Sequence, residues 1–211
     1  MFAGIAVYLL DVMGDDLTVV NAARVSMDKF HDTFTLGDAA LIEYLARNGH
    51  WSPFAHPQIS FRVRAPIFVA RQLAKHQVGL SWNEVSRRYV DSEPVFYLPK
   101  ARRRAENVKQ GSLSETVHGA EDVITDAVVA ARRAYNDLLQ MGVAPEIARA
   151  VLPQSMMTEW VWTGSLYAFA RVVNQRMDPH AQREAAEVAQ GIRDYLVRAF
   201  PHSSKALLKS S

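Results

Sequence analysis

APIFVARQLAKHQVGLSWNEVSRRYV, residues 65–90, passes from an apolar run into a stretch that packs His76, Asn83, Glu84, Ser86, Arg87 and Arg88 among Trp82, Val85 and Tyr89. A solvated loop has no use for large apolar side chains interleaved with so many polar groups, so the stretch reads as a site. Pro66 suits the first turn of a helix, which is expected to run through Ile67–His76 with Arg71, Gln72 and Lys75 near one another on its surface. Gly79 breaks that pattern, and the polar stretch is expected to follow as a loop.

Working outward, QISFRVRA alternates Ile59, Phe61 and Val63 with Ser60, Arg62 and Arg64, the pattern of a strand with one buried face. TLGDAALIEYLARNGH reads as a helix capped by Thr35 and Asp38, with Leu36, Ala39, Ala40 and Ile42 as apolar positions and Asn48-Gly49 as its stop. FAGIAVYLL reads as a first strand, and EPVFYLP as an extended segment. Downstream, residues 112–142 form one long helical pattern striped by Val123, Ala127, Ala131, Tyr135 and Leu138. APEIARAVLP and SLYAFARVVNQRM are shorter helices. Asp178-Pro179 is expected to open a last helix ending before Pro201, with SSKALLKSS frayed beyond it. The fold class expected is α+β: one domain over residues 1–211, with a small, mainly antiparallel sheet packed with several helices.

Composition narrows the function. The net charge is +2, so the protein as a whole does not seek polyanions; the basic run KARRRAENVK reads first as a solvated face, and no nucleic-acid fold accompanies it. No apolar run reaches the ~20 residues that span a bilayer. The N-terminus lacks a basic flank and a cleavage site, so a cytoplasmic location without membrane association is expected. Cysteine is absent, which removes disulfides, thiolate metal sites and cysteine nucleophiles. His50 and His56 have no third ligand at useful spacing, so no metal site is expected. There is no glycine-rich dinucleotide fingerprint, P-loop or nucleophile elbow. What remains is a set of arginines, Arg71, Arg88, Arg149 and Arg176, in apolar or amide-rich contexts. Each alone fits a surface ion pair equally well. Collected around the Ser86-Arg87-Arg88 loop, they suit a phosphorylated heterocycle, because guanidinium forks hold phosphate and amides read ring edges.

These segments resemble the flavin-dependent thymidylate synthases. RQLAKHQ followed by SWNEVSRRY is similar to that family's signature, Arg-His-Arg, seven residues, then Ser. AARVS, GHWSPFAHPQISFRVRAPIFVARQ, ARAVLP and NQRMDPHAQRE resemble its other segments in the same order, from about residue 22 to residue 200. The resemblance implies an enzyme that converts dUMP to dTMP, with methylenetetrahydrofolate as carbon donor, reduced FAD as hydride donor and NADPH as the reductant of the flavin. It further implies a homotetramer with active sites shared between chains. By resemblance, Gln72, Glu84, Ser86, Arg87, Arg88, Arg149 and Arg176 hold dUMP, with Arg176 near the uracil and Ser86 beside it in the catalytic centre. Ser26, His50, Ser52, Lys75, His76, Gln77, Val78, Asn83, Ser165, Arg171 and Asn174 face FAD. The chain departs from the pattern on the flavin side: Lys75-His76-Gln77 replaces Arg-His-Arg, the spacing to Ser86 is eight residues, and Ala55, Ser165 and Tyr167 stand where the family has Glu, Asn and Arg. A second reading therefore stays open, a nucleotide-binding regulatory module whose flavin chemistry is lost.

Overall fold

The computed structural model describes residues 1–106 and 111–209. In chain order it contains β1 (Ala6–Met13), α1 (Asp16–Arg24), α2 (Leu36–Arg47), β2 (Gln58–Pro66), α3 (Ile67–Leu73), β3 (Leu80–Glu84), β4 (Arg102–Arg104), β5 (Ser112–Thr116), α4 (Ala120–Gln140), α5 (Pro145–Ala148), β6 (Met157–Ser165), α6 (Leu166–Arg176), α7 (Arg183–Ala199) and α8 (Pro201–Leu207). The main sheet has the order β1-β2-β6-β3, and β4 pairs with β5 as a separate antiparallel hairpin. The mixed α+β class is as the sequence led one to expect.

The chain divides into two compact units, each woven from separated segments. The first comprises Met1–Ala6, Arg64–Leu73 and Glu84–Trp160; the second comprises Val7–Val63, Ala74–Asn83 and Val161–Ser211. The first unit closes around Phe96, Val128 and Met156, with Ile67 and Leu152 packed against them. Tyr135, one turn pair along α4 from Val128, is also fully buried. In the second unit, Phe61 of β2 meets Phe169 of α6 edge-on at 5.0 Å, and Trp162 of β6 meets both Phe169 and Trp82 at 5.4 Å. Edge-to-face contacts of this kind add to the burial of the rings themselves.

Several local expectations hold for the reasons given. Ile59, Phe61 and Val63 point inward from β2. Thr35 caps α2: its backbone N–H and its hydroxyl both donate to Asp38, at 2.9 and 2.8 Å. Others need correction. The polar stretch contains strand β3, because Ser81-Trp82-Asn83 seats Trp82 against Trp162. Pro66 closes β2, and α3 ends at Leu73, earlier than expected. Residues 112–116 form β5, so the long helix starts only at Ala120, and Val128 takes the inward position that Val123 was expected to hold. Asp178 makes a turn, accepting from the His180 N–H at 2.9 Å, and α7 begins later, after Gln182. The end of the chain is not frayed through Leu207. Pro201 opens α8, whose Ser203 and Ser204 are buried, and the Asp16 carboxylate accepts from the His202 and Ser203 backbone at 2.8 and 2.9 Å. Asn107, Val108 and Lys109 of the basic run lie outside the described residues.

Candidate active site

Two pockets, one in each unit, gather half of the candidate residues. The second unit's pocket has about 280 Å³ and is lined by Lys75, His76, Gln77, Val78, Arg171 and Arg176, with Leu80, Ala168 and Gln175. It forms where the segment after α3 turns back to start β3 and runs along α6. The turn is closed by the Leu80 N–H donating to Gln77 O at 3.2 Å, with Gly79 at φ +77°, a conformation that favours glycine. Ser165 caps α6 by accepting from the Ala168 N–H at 3.2 Å, and its own N–H donates to Gly79 O at 3.3 Å.

Within this pocket the Arg176 Nε–H donates to His76 Nε2 at 2.9 Å. Burial, followed by the Arg176 and Arg171 charges, lowers the His76 pKa to about 4. The imidazole is therefore neutral near pH 7. Burial also pushes the Arg176 guanidinium pKa downward. Among the residues lining the pocket are three cations, one neutral imidazole and two amides. Such a set offers donors to an electron-rich heterocycle, an amide edge for a pyrimidine-like ring, and positive charge where a ring gains electrons. It fits an isoalloxazine chemically. The volume, at the low end of the ~300–1,000 Å³ typical of ligand pockets, leaves the rest of a dinucleotide to be held by other surfaces.

The first unit's pocket has about 340 Å³ and brings together Arg64, Glu84, Arg87, Arg149 and Glu159 above an apolar floor that includes Ile67, Leu152 and Met156. Glu84 accepts from the Thr158 hydroxyl at 2.7 Å. Arg87 donates to Ser92 O and lies over the Tyr135 ring at 6.0 Å. Arg149 Nε donates to Glu146 O at 3.2 Å, and Arg88 pairs with Glu146 at 3.4 Å, both of those side chains half-exposed. Ser86 Oγ accepts from the Arg88 N–H at 3.3 Å. Both arginines are thus held at Glu146, Arg88 by its carboxylate and Arg149 by its backbone carbonyl.

The remaining candidates are placed as follows. Gln72 lies on α3 and its amide donates back to Phe68 O at 3.5 Å. Ser26 donates to Ala23 O at 3.0 Å, His50 stacks on Tyr44 at 6.0 Å, and Ser52 opens the turn at Ser52–Ala55. Asn83 lies exposed in β3. Asn174 ties down the chain end, donating to Leu207 O and accepting from the Lys209 N–H, each at 2.8 Å. Sequence reasoning did not single out Gln175, Arg64, Thr158 or Glu159. Gln175 was legible as the neighbour of Arg176; Thr158 and Glu159 belong to β6, whose mixed run MTEWVWTGS was not recognised as a strand.

Known proteins similar to this chain identify its family. The family model described as thymidylate synthase complementing protein (Thy1) matches residues 8–202. A flavin-dependent thymidylate synthase of Thermosipho africanus is 39% identical over 206 residues, covering 95% of this chain and 90% of the relative. One of Thermus thermophilus is 40% identical over 197 residues, covering 92% of this chain and 72% of that one. Among solved structures, the UMP/dUMP methylase PolB from Streptomyces cacaoi bound with 5-Br dUMP superposes with a TM-score of 0.87 at 33% identity, covering 97% and 95% of the two chains. The same methylase bound with 5-Br UMP gives 0.87 at 34% identity. The chain belongs to the flavin-dependent thymidylate synthase family and is an enzyme of that class.

Proposed function

From that membership we propose that the protein methylates dUMP to dTMP, taking the methylene group from methylenetetrahydrofolate. The observation that carries this reading is the second unit's pocket, where Lys75, His76 and Gln77 meet Arg171 and Arg176. FAD, held there by these residues, would in its reduced form supply the hydride that turns the methylene into a methyl group, with tetrahydrofolate as the second product and NADPH as the reductant that balances the flavin's oxidation. With no cysteine in the chain, the uracil ring is not activated by a thiolate. The protein's own part is position and charge. Arg176, its Nε–H given to His76, is set near the uracil, where its positive charge would stabilise the negative charge that develops as C5 becomes nucleophilic. Arg87, Arg88 and Arg149, with the backbone at Ser86, hold the phosphate; Glu84 and Gln72 orient the nucleotide. Ser86 has no base beside it and serves as a ligand. Lys75, Gln77, Val78 and Arg171 face the flavin, with Ser26, His50, Ser52, Asn83, Ser165 and Asn174 completing its surroundings.

The small volume of the flavin-side pocket also supports a homotetramer whose active sites are shared between chains. Further support comes from the large apolar side chains left exposed, including Tyr8, Leu10 and Met13 on β1 and Trp51. The chain is read as one domain, since neither unit is a continuous stretch. Among the described residues no helix is long and apolar enough to cross a membrane. A cytoplasmic place suits a nucleotide and folate enzyme.

The test is dTMP formation by the purified protein supplied with FAD, dUMP, methylenetetrahydrofolate and NADPH, followed alongside the flavin absorbance. Turnover with bleaching and recovery of the flavin bands is expected. A protein that binds dUMP but neither takes up FAD nor turns over would establish the regulatory alternative instead. The likeness to a methylase bound with 5-Br UMP as well as 5-Br dUMP motivates a parallel assay with UMP.

A further inference from the structure

Gly164, the penultimate residue of β6, lies against the turn that carries the Lys-His-Gln segment. A Cβ built on Gly164 would stand 2.3 Å from Gly79 O, 2.5 Å from Leu80 Cδ2 and 3.2 Å from Leu80 Cα. The first of these is a backbone atom and cannot swing aside as a side chain end can. On its other side the turn is seated less tightly: a Cβ on Gly79 would reach Ala168 Cβ at 3.2 Å and Ser165 Oγ at 3.6 Å, at the capped start of α6. The turn is therefore wedged between the end of β6 and the first turn of α6, and both approaches depend on a missing side chain. Three residues before Gly79, His76 accepts from Arg176 at the far end of α6.

We propose that Gly164 is a positioning residue: by letting the Gln77–Leu80 turn seat on the junction of β6 and α6, it holds His76 against Arg176 and keeps Lys75 and Gln77 in the flavin pocket. The inference rests on the reading of that pocket as the flavin site. Its physical content is separate from ordinary strand propensity, which runs the other way. Glycine inside a strand is destabilising relative to alanine, so Gly164→Ala would stabilise the fold if nothing approached the Cα.

Three proteins test this: wild type, Gly164→Ala, and Gly79→Ala, whose Cβ would press the same turn from its other side, against Ala168. The readouts are FAD affinity by fluorescence quenching, the melting temperature, and the His76 pKa by proton NMR. Gly164→Ala is expected to weaken FAD binding at least tenfold and to move the His76 pKa up from about 4 toward its usual 6.5, as the imidazole leaves Arg176 and Arg171. The melting temperature should change by only a few degrees. Gly79→Ala is expected to move FAD affinity and the His76 pKa in the same directions by a smaller amount. Wild-type FAD affinity and His76 pKa in Gly164→Ala would overturn the proposal. If Gly164→Ala does not fold, Gly79→Ala decides alone: weaker FAD binding with a raised His76 pKa supports the wedge, and wild-type values of both refute it. If wild type binds no FAD, the flavin reading of the pocket fails, while the His76 pKa still tests the positioning.

Discussion

Arg176 gives its Nε–H to His76 Nε2 at 2.9 Å, and so fixes the tautomer of the imidazole: the ring proton is on Nδ1. A protonated His76 has no lone pair to accept this bond and would place a third positive charge beside Arg176 and Arg171. Burial first, and then these two charges, lower its pKa to about 4. The link joins a residue of the flavin signature to a residue proposed to touch the uracil, so a change at one is felt at the other.

A pH dependence follows from that link. The folded pKa is about 4 and the unfolded value about 6.5, so the unfolded chain binds the extra proton first. The contribution is fully present above pH ~6.5 and is lost as pH falls through that value toward 4. Stability measured by urea denaturation should decline over this window. In His76→Gln, whose amide oxygen still accepts from Arg176 but does not titrate, the decline should be shallower. An identical decline in the two proteins would show that His76 is not responsible.

Arg176→Ala should weaken dUMP binding by about ten- to hundredfold, since a charge-assisted hydrogen bond in a partly buried site contributes about 1.5–3 kcal/mol. Arg103→Ala should change it hardly at all. Arg103 sits in the exposed β4–β5 hairpin, paired with Glu115 at 3.1 Å, and both side chains are more than half exposed. Calorimetric titration of both variants with dUMP checks this, and equal affinities would remove Arg176 from the nucleotide site.

The elements with a single strong local signal were legible in the sequence. Thr35 with Asp38 marks the start of α2, and the alternation of Ile59, Phe61 and Val63 gives both the existence and the inward face of β2. The family resemblance assigned Lys75, His76, Gln77 and Arg171 to the flavin and Arg176 to dUMP, and all five line one pocket. What escaped was set by tertiary contacts. Strand β3 owes its extended form to Trp82 meeting Trp162, some eighty residues away. Helix α8 is held by Asp16, which pairs with backbone N–H groups at the opposite end of the chain. No window of local sequence contains either relationship. Asp38 was visible only as a capping residue, whereas its carboxylate is fully buried and also binds Arg24 and His31.

That burial makes Asp38 a stability hot point. Burial acts to raise its pKa, but hydrogen bonds from Thr35, Arg24 and His31 overcome this and hold it well below the usual carboxylate range. Asp38→Ala leaves the mostly buried Arg24 guanidinium without its 2.8 Å partner and uncaps α2. A loss of about 3–5 kcal/mol is expected, as for other broken buried pairs. The carboxylate's contribution is present above its unfolded pKa of about 3.9 and is lost as pH falls below it. Denaturant melts at pH 7 and pH 3 should therefore lie closer together in Asp38→Asn than in wild type. A loss under 1 kcal/mol for Asp38→Ala would mean that the cluster relaxes without cost.

Gln77 and Lys75 both line the pocket with Arg171 and Arg176, so either can set the charge seen by a bound flavin. An arginine at position 77 would add a positive charge and favour the anionic reduced flavin; the glutamine amide offers a donor and an acceptor without charge. Gln77→Arg is therefore expected to raise the reduction potential of the bound flavin. Lys75→Ala is expected to lower it, because one of the pocket's cations is lost. Spectroelectrochemical titration of wild type and the two variants separates the contributions. A potential unchanged by Gln77→Arg but lowered by Lys75→Ala would make Lys75 the charge donor and Gln77 a bystander, placed in the pocket by the turn but not against the ring. A rise with Gln77→Arg that exceeds the fall with Lys75→Ala would place position 77 nearer the ring, since the Coulomb term grows as the separation shrinks.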